Sequence, residues 1–153
     1  MFHKKIFILY LIFAVFLIII AGLSTVNYKA KVIVKNKLYI VEVANTTYFL
    51  EKGLSGHPPL KNDEGMFFVF QKPDKYGFWM KDMLFPIDII WIDKDFKIIH
   101  IEKSVSPGTY PKVFYPEADS LYVLEVSADE AEKLNLKAGD AIQFLQKIDR
   151  KSP

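Results

Sequence analysis

The chain has 153 residues, no cysteine, and 20 basic side chains against 18 acidic ones, enough for one domain and a short appendage. Lys4 and Lys5 are the only charged side chains before Asn27, so the rest is balanced at 18 against 18, and its one basic excess is Lys29, Lys31, Lys35 and Lys37. A duplex-binding face needs a larger basic cluster, so nucleic acid is not an expected partner. Without cysteine there are no disulfides, thiolate metal sites, cysteine nucleophiles or N-terminal cysteine lipidation.

Ile6 to Leu23, IFILYLIFAVFLIIIAGL, is an unbroken apolar run. As a helix it is about 27 Å long, close to the thickness of a bilayer core. That is longer than a signal-peptide core, so residues 1–26 read as an uncleaved anchor, although Gly22-Leu23-Ser24 offers small residues at cleavage spacing. His3, Lys4 and Lys5 favour a cytoplasmic N-terminus and the four lysines after the run oppose it. The cluster adjoining the run is weighted more, which places residues 27–153 outside a cytoplasmic membrane as one β-rich domain.

KVIVK and LYIVEVA around Asn36 read as a hairpin. Asn45, Thr46 or Thr47 can cap a short helix through Leu54, and the prolines of Ser55 to Glu64 make that segment a loop. After Gly65, MFFVF is a strand, and Lys72 to Lys75 a turn. Phe78 to Lys81 and Ile87 to Ile92 read as strands around a corner at Phe85-Pro86, and Phe96 to Glu102 returns after Asp93-Lys94-Asp95. Ser104 to Asp119, with Pro107, Gly108, Pro111 and Pro116, is a long loop of the kind that often carries function. Ser120 to Val126 is a strand, Ser127 to Glu130 a capping box opening a helix, and AIQFLQ a last strand. These elements predict an α+β domain, mainly antiparallel β-sheet rolled toward a barrel, with two short helices behind the N-terminal transmembrane helix.

The stretch YGFWMKDMLFPIDIIWID holds both tryptophans and lodges Lys81, Asp82 and Asp88 in an apolar run, where charges need partners. With Glu64 they form a candidate ligand-binding group beside Trp79, suited to a small polar or carbohydrate-like ligand that stacks on indole while its hydroxyls bond to carboxylates. The bland alternative is that these charges only satisfy one another at a strand corner. A second reading is an envelope hydrolase using Glu64 with Asp88, or Asp82 with Asp88, as acid and base. A third is an interaction module through Tyr110, Phe114 and Tyr115 of the Pro-rich loop. His57 and His100 have no metal-ligand spacing, and there is no nucleophile elbow or phosphate loop, so no metal, cofactor or established catalytic residue is expected.

The stretches GLSGHPPLKNDEGMFFVF, FWMKDMLFPIDIIWID, and VLEV followed by AGDAIQF resemble the domain of unknown function 192 family, from about Glu42 to Phe144. The resemblance implies a small β-rich domain, commonly behind an export signal or membrane anchor, with no established activity. His57 stands where that pattern has arginine, Asp82-Met83 where it has Asn-Thr, and Asp129 where glycine commonly follows the last long strand. A carboxylate in place of an amide at Asp82 changes the charge and hydrogen bonding of any ligand site near Trp79-Met80-Lys81.

Overall fold

The computed structural model describes residues 28–148; the expected membrane anchor, Ile6 to Leu23, lies outside them. Among the described residues no helix is long and apolar enough to cross a membrane.

Strands β1 (Tyr28–Val34) and β2 (Lys37–Ala44) form the expected hairpin, with Lys35 in the left-handed region at φ 53°. Helix α1 (Thr47–Lys52) and the loop after it carry the chain back, and β3 (Glu64–Asp74) lies parallel to β2, Ile40 opposite Glu64 and Ala44 opposite Phe68. The sheet is therefore mixed. Residues 45–63 form a crossover of the length that parallel neighbours require, whereas antiparallel neighbours can be joined by a tight turn. Strand β3 also runs through Pro73, in the segment expected to turn. There it has left β2, and its register with the later strand β8 (Ser120–Ser127) is irregular between Val69 and Asp74, so the missing proline amide breaks no regular ladder.

The remaining elements are β4 (Phe78–Trp79), β5 (Ile87–Ile92), β6 (Ile98–Val105), a 3-10 turn (Pro107–Thr109), β7 (Val113–Phe114), α2 (Glu130–Lys133) and β9 (Ile142–Ile148). Seven strands make one sheet in the order β6-β5-β8-β3-β2-β1-β9, and β4 pairs with β7 in a separate ribbon. A bridge between Lys97 and Ala141 and a hydrogen bond from Ile142 N to Phe96 O draw the two edges together at one end. The sheet is thus a half-barrel, apolar on both faces. Its inner face carries Ala30, Val32, Val41, Phe67, Leu124 and Val126. On the outer face Met66, Phe68, Ile89, Trp91 and Val123 are covered by Leu54, Met80, Met83, Phe85 and Phe114 from the connecting segments.

The expected capping box at Ser127 does not form. The Ser127 hydroxyl donates to Leu60 O, and Asp129 occupies the N-cap at φ 69°. Glu130 turns inward, where its carboxylate accepts from the Lys37 ammonium and, at 2.7 Å, from the Tyr39 hydroxyl. Burial alone would raise the Glu130 carboxyl, but hydrogen bonds from Lys37, Tyr39 and Lys133 hold it below the usual carboxylate range. Burial, reinforced by Glu130, pushes the Tyr39 phenol up. A buried carboxylate with such donors does not reach back to a cap amide.

Candidate functional site

Period-two alternation decides where the acids go. In β5, Ile87, Ile89 and Trp91 belong to the outer cluster, so Asp88 points inward with Ile90 and Ile92. Asp88 is fully buried; its carboxylate oxygens accept from Ser104 N at 2.7 Å and Ala131 N at 2.6 Å. From the strand that pairs with β8, next to where β8 leads into α2, it satisfies an amide of that helix's first turn, the task that the capping box leaves undone.

Trp79 and Lys81 lie in the outer layer, on the opposite side of the sheet from Asp88. Trp79 is 48% exposed and the Lys81 ammonium lies 5.8 Å from its ring centroid. Asp82 is exposed at φ 55°. Glu64, at the start of β3, accepts from Lys61 N at 3.1 Å, which holds its carboxyl below the usual range, and it faces a separate depression with Lys29, Glu42 and His57. In the Pro-rich loop Phe114 is buried, whereas Tyr110 and Tyr115 are exposed. The structure brings Trp79, Lys81 and Tyr110 together and sets Asp88 and Glu64 apart from them. His57 lies against the Pro58 carbonyl and His100 against Trp91; among the described residues no group of three His, Cys, Asp or Glu side chains is arranged to hold a metal.

A carboxylate absent from the expected group occupies the outer layer. In β8, Leu124 and Val126 face inward, so Glu125 faces outward, between Met66 of β3 and Ile89 of β5. It is 4% exposed and lines a cavity of about 100 Å³ with Lys52, Gly53, Phe68, Phe78 and Trp79. Glu125 Oε2 is buried without a hydrogen-bond partner, and burial pushes the carboxyl up to about 8. At neutral pH this group is mostly a carboxylic acid, able to donate one hydrogen bond and accept others. The rim is fixed by two contacts between the turn after α1 and the segment after β4: Ser55 Oγ donates to Lys81 O, and Gly56 N to Asp82 O, both at 2.8 Å. The sequence signal for Glu125 was a lone acid inside the apolar strand SLYVLEV.

The cavity walls come from segments 50–55, 68–83 and 125, within the stretch 30–144 that matches the model of DUF192, described as Uncharacterized ACR. The chain belongs to the DUF192 family. Two solved structures share the fold. A protein of unknown function from Novosphingobium aromaticivorans DSM 12444 is 28% identical, with 76% of this chain and 85% of that one covered and a TM-score of 0.72. A protein from Sinorhizobium meliloti 1021, provisionally described as a transcription regulator, is 26% identical, with 78% and 96% covered and a TM-score of 0.70. No curated protein matches the chain.

Two departures from the DUF192 pattern now have a backbone setting. Asp82 and Asp129, where Asn and Gly are usual, lie at φ 55° and 69°. Asn, Asp and Gly are the residues that enter this left-handed region most readily. Asp129 also accepts from Ser104 Oγ at 2.6 Å, a bond that glycine lacks.

Proposed function

We propose that this DUF192 chain is a membrane-tethered, extracytoplasmic, non-catalytic domain that takes a small polar, carbohydrate-like ligand into the cavity between α1 and the β4 segment. The observation that carries this reading is the orphaned Oε2 of Glu125 in a cavity with aromatic walls. A buried oxygen left without a partner costs on the order of 1 to 3 kcal/mol, which a ligand hydroxyl recovers. At about 100 Å³ the cavity takes a fragment of a few heavy atoms. The rest of the ligand lies at the cavity mouth, against the edge of Trp79 that lines it and beside Lys52. The envelope-hydrolase reading loses support, because Asp88, common to both of its carboxylate pairs, is committed to two backbone amides on the other face.

The test is titration of the full-length chain with mono- and oligosaccharides, read by tryptophan emission. Binding that weakens tenfold or more above pH 8, and that Glu125→Leu removes while near-ultraviolet circular dichroism stays native, supports the proposal. No sugar-dependent change in emission, or a change equal in Glu125→Leu, overturns it.

A further inference from the structure

The β4–β7 ribbon has a face that the fold does not use. Its pairs are Phe78 with Phe114 and Trp79 with Val113. Phe78 and Phe114 pack on the outer cluster, so alternation turns Trp79, Val113 and Tyr115 away from the core. At Gly77 a Cβ would lie 2.5 Å from the Tyr115 ring, so the Tyr115 ring lies close over the Gly77 backbone. Tyr110, brought back by the 3-10 turn, packs edge-on to Trp79 with centroids 6.0 Å apart. Trp79, Tyr110 and Tyr115 are 48%, 47% and 57% exposed. One lysine lies on that face, Lys81 over Trp79; the Lys112 ammonium instead covers the Phe114 ring, 4.3 Å from its centroid, on the ribbon's other side.

Tryptophan and tyrosine with an apolar body and a polar tip, interleaved with lysine, form the composition of the layer between water and lipid. The chain's own layout supplies such a layer. Only Ser24 to Asn27 separate the apolar run ending at Leu23 from Tyr28, a spacer that spans about 14 Å when fully extended. Tyr28 pairs with Val43, at the end of the sheet where β2 leads into α1, and the residues that close α1 share a cavity wall with Trp79. Val43 in turn pairs with Phe67, and Phe68 packs edge-on to Phe78, so the ribbon and the start of β1 lie at one level along the strands.

We propose that the outer face of the β4–β7 ribbon docks on the bilayer, with Trp79, Tyr110 and Tyr115 at head-group depth and Lys81 on an anionic lipid phosphate. This docking rests on the reading of Ile6 to Leu23 as a membrane anchor. The two tryptophans give the test an internal reference, since Trp91 is fully buried and Trp79 half exposed. The full chain is reconstituted into phosphatidylcholine vesicles, with and without phosphatidylglycerol, carrying brominated acyl chains. The expected result is quenching by the bromines that Trp79→Phe removes, that Tyr110→Ser with Tyr115→Ser weakens, and that phosphatidylglycerol strengthens. A chain that floats with the vesicles while Trp79 stays open to iodide and untouched by bromine overturns docking and leaves the tether standing. A chain that does not float removes the tether and the docking together. Quenching indifferent to phosphatidylglycerol overturns the role given to Lys81.

Discussion

Asp88 and Glu125 sit on neighbouring strands and are both buried, yet their fates are opposite. Asp88 exhausts its carboxylate on two backbone amides, so Asp88→Asn, which puts a donor where an acceptor was, is expected to lower stability by about 2 to 3 kcal/mol in urea unfolding. Glu125 leaves an oxygen unpaired, and its folded-state carboxyl titrates near 8 against 4.5 for an ordinary glutamate. Between those values the unfolded chain has released this proton and the folded chain still holds it, so stability falls as pH rises, by up to about 1.4 kcal/mol per pH unit. Below 4.5 the group makes no difference to the slope, and above 8 the loss is complete. Thermal unfolding scans from pH 4 to 9 should show this decline in the natural chain and its absence in Glu125→Gln. The sequence showed that this run held charges in need of partners, and Asp88 does have them. It did not show which face each acid takes, because parity is inherited across strand pairs, and the pairing of Glu125 with Ile89 joins residues far apart in the chain.

Most elements were legible because their apolar residues alternate and their turns carry Asn, Asp, Gly or Pro. The span Ile87 to Ile92 is the same in sequence and structure. Where local signals competed with distant ones, the distant ones won. Glu130 reads as half of a capping box until Lys37 and Tyr39, from the first hairpin, draw it inward. The β2–β3 neighbours read as parts of an antiparallel sheet because no local cue distinguishes a crossover from a wandering loop. The packing of β3 on β8 has a sharp local requirement: a Cβ at Gly65 would lie 2.7 Å from the Glu125 carbonyl oxygen. Backbone cannot rotate aside as a side chain can. Gly65→Ala is therefore expected to cost about 1 to 3 kcal/mol, read as a lower urea midpoint, and to loosen the amides of the β3–β8 ladder.

At the scale of the molecule, one sheet separates two apolar layers of different make. The inner layer is strand against strand, closed by α2 residues such as Ala131, whereas the outer layer is covered by short connections and by a two-residue ribbon. Hydrogen exchange should divide along that line. Amides of β3, β5 and β8 are expected to exchange only through global unfolding, and those of 53–60 and 76–86 through local opening at lower cost. Uniform protection across both layers would contradict this. The half-barrel also has an order of assembly written into it. Strand β1 is the first of the domain to be synthesised and β9 the last, yet they lie side by side with Val34 opposite Ile142. Until the final strand has left the ribosome, β1 offers the alternating valines of its hairpin to whatever strand it meets. Each nascent copy thus passes through an interval in which another chain's edge can take the place of its own, and the speed with which residues 142–148 arrive sets how long that interval lasts.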